Sequence, residues 1–105
     1  MKQTNADLRR YYRVANAKYF NNALPEGIPM RFAKIRGTGV TRLLNDRIPI
    51  LIEINEDLRR CQAITIMTVM HEMLHVEKPS YKGHDWRFDR RMLCLAKQGA
   101  FDGCW

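Results

Sequence analysis

No apolar run in the 105 residues approaches the ~20 that a membrane-spanning helix needs, so no membrane partner is expected. The first residues, MKQTNADLRRYYR, lack the apolar stretch of a secretory signal, and an intracellular, cytoplasmic setting is expected. Cysteine is scarce. Cys61, Cys94 and Cys104 are odd in number, widely spaced and without a C-x-x-C pair. That argues against a disulfide framework or a zinc ribbon and suits reduced thiols, each read as a buried small hydrophobe. Repeats, low-complexity tracts and linkers are absent. Glutamate does not occur after Glu77, and the only histidines are His71, His75 and His84.

What is present describes one ordinary globular domain. A chain of this length buries roughly two-thirds of its unfolded surface, enough for a single core. The net charge of +7 is uneven. Residues 1–20 carry five basic and one acidic side chain, residues 21–77 balance at seven each, and residues 78–105 carry six basic and three acidic. A surplus at both ends can form an electropositive face for a phosphate backbone, with Arg9, Arg10, Arg13, Lys82, Arg90 and Arg91 as candidate DNA contacts. Simple solubility is the competing explanation.

The pattern predicts an α+β fold. Thr4 and Asp7 form a capping-box pair ahead of Leu8, Tyr12, Ala15 and Tyr19 at helical spacing. The helix should stop near Asn21-Asn22, before LPEGIP. MRFAKI and VTRLL flank Arg36-Gly37-Thr38-Gly39 as a hairpin, and Asn45-Asp46 marks the next turn. IPILIEI follows, with Ile48, Ile50, Ile52 and Ile54 on one face. Pro49 lacks a backbone donor, which places this strand at a sheet edge or has it begin there. Asn55 caps a helix from about Glu56 to Glu77. Its apolar side chains point nearly all round the axis, which implies full burial. A last helix, about Asp85 to Lys97, carries Phe88, Met92 and Leu95 inward. Trp105 is either a packing anchor or frayed.

His71 and His75 are four apart on the apolar helix, so their imidazoles stack on one side and can share a metal. Catalytic zinc takes three protein ligands and leaves a fourth position open. Pro79 stops the helix and Gly83 permits a reversal, which can bring His84 to the open side of the pair. Glu72, offset by ~100° from His71, would reach the metal's water as general base. Two imidazoles and a carboxylate in an apolar helix cost several kcal/mol unless something satisfies them. Cysteine is absent near the cluster, and a sealed structural site would leave Glu72 without a task.

The metzincin spacing would need Gly at position 78 and His at 81, where the chain has Lys78 and Tyr81. A thermolysin-like site would need a later glutamate. What remains resembles the SprT-like metalloprotease family, which includes the Spartan-type DNA–protein crosslink proteases. The resemblance runs through NAKYFNNALP, IEINEDL, HEMLH and the G-H-x-x-x-F of Gly83, His84 and Phe88. It is to a minimal zincin-like domain without the C-terminal zinc ribbon of longer members. It implies zinc on His71, His75 and His84, Glu72 as catalytic base, and Phe88 as a buried aromatic. Asp85 stands where the family often has glycine, and is read as a helix cap or a partner to a ligand.

The expected architecture is therefore an N-terminal helix, a three-stranded sheet, the zinc helix and a closing helix. The expected activity is zinc-dependent hydrolysis of peptide bonds, with DNA-associated proteins as one substrate class. Substrate would add as a strand along residues 48–54. Tyr81 and Arg87 are the candidate transition-state donors. The alternative is a nucleic-acid- or protein-binding module with a structural zinc.

Overall fold

A computed structural model describes residues 2–79 and 86–105. Helix α1 (Asn5–Tyr19) starts as expected: Asp7 N–H bonds the Thr4 hydroxyl while the Asp7 carboxylate accepts from Thr4 N–H at 2.8 Å. It stops where Asn21 and Asn22 turn left-handed, at φ 52° and 58°. Buried Asn16 then fastens the exit loop. Its amide donates to Leu24 O (3.0 Å) and to Glu26 (2.8 Å), and its carbonyl accepts from Leu24 N–H (3.1 Å).

Three strands follow: β1 (Met30–Ala33), β2 (Gly39–Leu44) and β3 (Ile48–Asn55). Their spatial order is β1-β3-β2, with β1 parallel and β2 antiparallel to β3. Two expectations are corrected here. The hairpin joins β2 to β3 through Asn45-Asp46, rather than β1 to β2. And β3 is central, not an edge, though it does begin beside Pro49, at Ile48, which was the other form of that expectation. Ile52 and Ile54 are wholly buried, and that burial draws β3 between its neighbours. Pro49 is tolerated because it lies outside the span that β1 pairs and at the register shift in β2 between Arg42 and Leu43.

The expected single helix from Glu56 to Glu77 is broken. A 3-10 turn (Glu56–Arg60), capped by Asn55, leads to extended Cys61 before helix α2 (Gln62–Glu77). Gln3 explains the break. Its side-chain amide donates to the Leu58 and Arg59 carbonyls and to the Thr65 hydroxyl, so carbonyls that a continuous helix would use internally are taken. Helix α2 packs against α1, β2, β3 and helix α3 (Trp86–Lys97). Its burial is extensive but incomplete, since Ile64 and Met67 remain 45% and 42% exposed.

In α3, Phe88 and Leu95 are buried and Met92 half-buried, as the spacing predicts. Trp105 is a packing anchor: its indole donates to Ala100 O at 3.0 Å and meets Tyr11 edge-on at 6.1 Å. Cys61 and Cys94 are free thiols, but the first is only half-buried and the second exposed, against the expected burial. The radius of gyration, 12.8 Å, is that of one compact domain of this length. Among the described residues, no helix is long and apolar enough to cross a membrane.

Candidate active site

Helix α2 carries the centre. His71 and His75 lie one turn apart with ring centroids separated by 5.4 Å, both half-buried. Phe88 of α3 backs the pair, 4.7 Å from His71 and stacked on His75 at 5.0 Å with its plane tilted 25°. Its burial fits the aromatic role that the resemblance implied.

Glu72 projects from the same helix toward β2 and is 3% exposed. Oε1 accepts from the Thr41 hydroxyl at 2.8 Å, and the same hydroxyl lies 3.3 Å from Glu72 O. Oε2 stands 3.9 Å from His71 Nε2. Burial pushes the carboxyl up to about 7, against the pull of the Thr41 hydroxyl and main chain. A buried carboxylate with an imidazole 3.9 Å away and a hydroxyl on one oxygen remains poorly compensated.

That chemistry fits a divalent cation. Two adjacent imidazoles supply borderline-soft nitrogen donors suited to zinc, and an added positive charge would offset the desolvation of Glu72. Among the described residues, no three His, Cys, Asp or Glu side chains are grouped to hold a metal ion. The third expected ligand, His84, lies outside the described residues, as do Tyr81, Lys82 and Asp85.

The sheet edge beside Glu72 belongs to β2. Ile52 gives its N–H to Pro29 O on the β1 side, while Asn55 N–H reaches Thr38 O on the β2 side. Alternation therefore turns the main-chain groups of Val40 and Arg42 toward β3 and those of Gly39 and Thr41 outward. The expectation that residues 48–54 would receive a substrate strand is corrected for residues 52–54, which β1 and β2 flank on both sides, while β1 does not pair residues 48–51. On the opposite edge, β1 is partly covered: Phe32 N–H donates to Asn5 Oδ1 at 3.0 Å.

The basic residues separate into clusters. Arg9, Arg10 and Arg13 are exposed and line one shallow depression on α1 with Asn5, Ala6 and Val14. Arg10 pairs with Asp7 at 3.2 Å, and Arg13 stands 3.9 Å from Glu26. Arg87 and Arg90 are exposed on α3, where they line a second depression with Trp86, Arg91 and Cys94. Arg91 is committed inward. It grips both Glu77 oxygens at 3.0 and 3.1 Å, donates to Tyr19 O, and lies over the Phe20 ring. A backbone phosphate would have to compete with that clamp, so Arg91 departs from the expected role of surface contact.

Thr41 and Gly39 were not among the sequence candidates. Neither sits in a motif, and 31 residues separate Thr41 from Glu72, so no local signal joins them. Comparison of the chain with protein-family models, with curated proteins and with solved structures finds no match, and the functional reading rests on the geometry of these residues.

Proposed function

We propose that this chain is a SprT-like zinc metallopeptidase with a zincin-like centre. The observation that carries the reading is the buried Glu72, held by Thr41, beside a pair of imidazoles and under the outer edge of β2, which no other strand pairs among the described residues. His71, His75 and His84 would hold the metal. Zinc bound there supplies a Lewis acid for the scissile carbonyl and lowers the pKa of water toward neutrality.

The chain's own groups would do the rest. The outward main-chain groups of Gly39 and the carbonyl of Thr41 would pair with an extended peptide and lay it across α2. Glu72 would take one proton from the attacking water as its oxygen bonds to the carbonyl carbon. It would then pass that proton to the amide nitrogen as the C–N bond breaks, leaving a carboxylic acid and an amine. Phe88 would hold the imidazoles in orientation and keep water from their rear. The exposed arginines Arg9, Arg10, Arg13, Arg87 and Arg90 support DNA-associated proteins as the substrate class.

Metal analysis joined to cleavage of unfolded casein tests the reading. Stoichiometric zinc in the wild type, lost in His84→Ala, is expected, with Glu72→Gln retaining zinc but cleaving nothing. Stoichiometric zinc without casein cleavage in the wild type would leave only a binding module with a structural ion, and full cleavage by Glu72→Gln would remove Glu72 as the base.

A further inference from the structure

We propose that Thr41 is the positioning residue for Glu72, its hydroxyl fixing the base while its main chain forms part of the edge on which substrate docks. The inference rests on the peptidase reading above and adds to it a residue outside the histidine motif.

A glutamate has three side-chain torsions, and burial alone does not select among them. Here β2 confines the side chain. The Thr41 hydroxyl holds Oε1 at 2.8 Å. Two residues earlier the strand crosses α2 at Gly39, where an added Cβ would lie 2.8 Å from Thr68 Cγ2, 3.2 Å from Glu72 Oε2 and 3.3 Å from Glu72 Cγ. That crossing is as close as glycine allows. The carboxylate is thus bounded by one strand along both oxygens and its stem.

The same two residues turn their main-chain groups away from β3, to the outer edge of the sheet. A peptide pairing there is registered against Gly39 and Thr41. Because Thr41 also holds Glu72, the distance from docked backbone to base is set through a single residue. Movement of the edge would displace substrate and base together, preserving their alignment. Valine matches threonine in shape but offers no donor, whereas serine retains the hydroxyl.

The test compares zinc-loaded wild type, Thr41→Val, Thr41→Ser and Glu72→Gln on unfolded casein, with zinc affinity measured by chelator competition. Thr41→Val should lose about ten- to a hundredfold in kcat, with KM and zinc affinity changed by less than about threefold. Thr41→Ser should recover most of the loss. In zinc-free protein, Thr41→Val should lower the urea midpoint in the wild-type background but not in Glu72→Ala, showing that the hydroxyl acts through the carboxylate. Wild-type kcat in Thr41→Val, beside an inactive Glu72→Gln, would overturn the positioning role and leave the peptidase reading intact. A comparable fall in zinc affinity would also overturn it, by moving the effect to the metal. An inactive wild type, or an active Glu72→Gln, would sink the peptidase reading itself and the positioning role with it. Should Thr41→Val not fold, Thr41→Ala carries the same comparisons.

Discussion

The Phe88 ring stacks on His75 at 5.0 Å and reaches His71 at 4.7 Å, so one aromatic from α3 backs both imidazoles of α2. Phe88 is also 2% exposed, which joins core packing to the orientation of the pair. Phe88→Ala should cost about 3–5 kcal/mol, as expected for emptying a buried aromatic site. Phe88→Leu should cost less and still weaken zinc binding, because an aliphatic side chain fills space without stacking. Urea unfolding and chelator competition on both variants would check this. Unchanged zinc affinity in Phe88→Leu would remove the orienting role.

Glu72 gives the zinc-free protein a specific pH dependence. Its folded pKa of about 7 lies above the ordinary 4.5, raised chiefly by burial. For an acid raised on folding, the stabilising contribution is complete below the unfolded value and lost as pH rises through the folded one. Zinc-free wild type should therefore lose stability relative to Glu72→Gln between about pH 4.5 and above pH 7. At ~1.4 kcal/mol per pKa unit the difference is on the order of 3–4 kcal/mol at most. Denaturant midpoints at pH 4 and pH 8 would show it, and parallel curves would contradict it.

Glu53 behaves in the opposite sense. It is buried on β3, and its carboxylate is held below the ordinary range first by the Arg42 hydrogen bond, with Arg31 adding to the effect against the cost of burial. This stabilisation is present above the ordinary 4.5 and fades as pH falls through the lowered folded value. Both arginines are about half exposed, which screens the pair. Arg42→Ala should cost about 1–2 kcal/mol at pH 7 and progressively less toward pH 3. Calorimetry across that range is the direct check.

At Gly39, a methyl group would meet Thr68 Cγ2 at 2.8 Å. Gly39→Ala should destabilise by about 1–3 kcal/mol through overpacking. Adding Thr68→Ser removes that methyl while keeping the hydroxyl that donates to Ile64 O, and should recover part of the loss. A strictly additive double variant would place the strain elsewhere.

Zinc itself should stabilise the folded chain. At a hundredfold excess over Kd the gain is about 2.7 kcal/mol, read as a rise in Tm. His75→Ala should abolish most of that rise while remaining folded, since the ring is only half-buried. A Tm that zinc leaves unmoved in the wild type would count against the metal assignment.

Features set within a few residues were legible in the chain. Thr4 and Asp7 bond across one turn, and Asn21 and Asn22 take the left-handed conformation that ends α1. His71 and His75 share a face because a helix repeats every ~3.6 residues. Phe88 and Leu95 likewise turn inward at helical spacing. Where the reading failed, the cause was a distant partner. Residues 48–54 looked like an edge, yet β1 pairs with β3 across 22 residues and closes that side from Ile52 onward. The helix over 56–77 looked continuous until Gln3, more than 50 residues away, took its carbonyls. Arg91 looked like a surface cation but closes on Glu77.

The sequence by itself determined the helical histidine pair, the neighbouring carboxylate and the turns that end the helices, because those depend on local hydrogen bonds and periodicity. Only the tertiary structure decided the strand order, the outer place of β2 and the grip of Thr41 on Glu72. Strand pairing and buried polar contacts join segments tens of residues apart, and their free energy exists only once the core has brought those segments together.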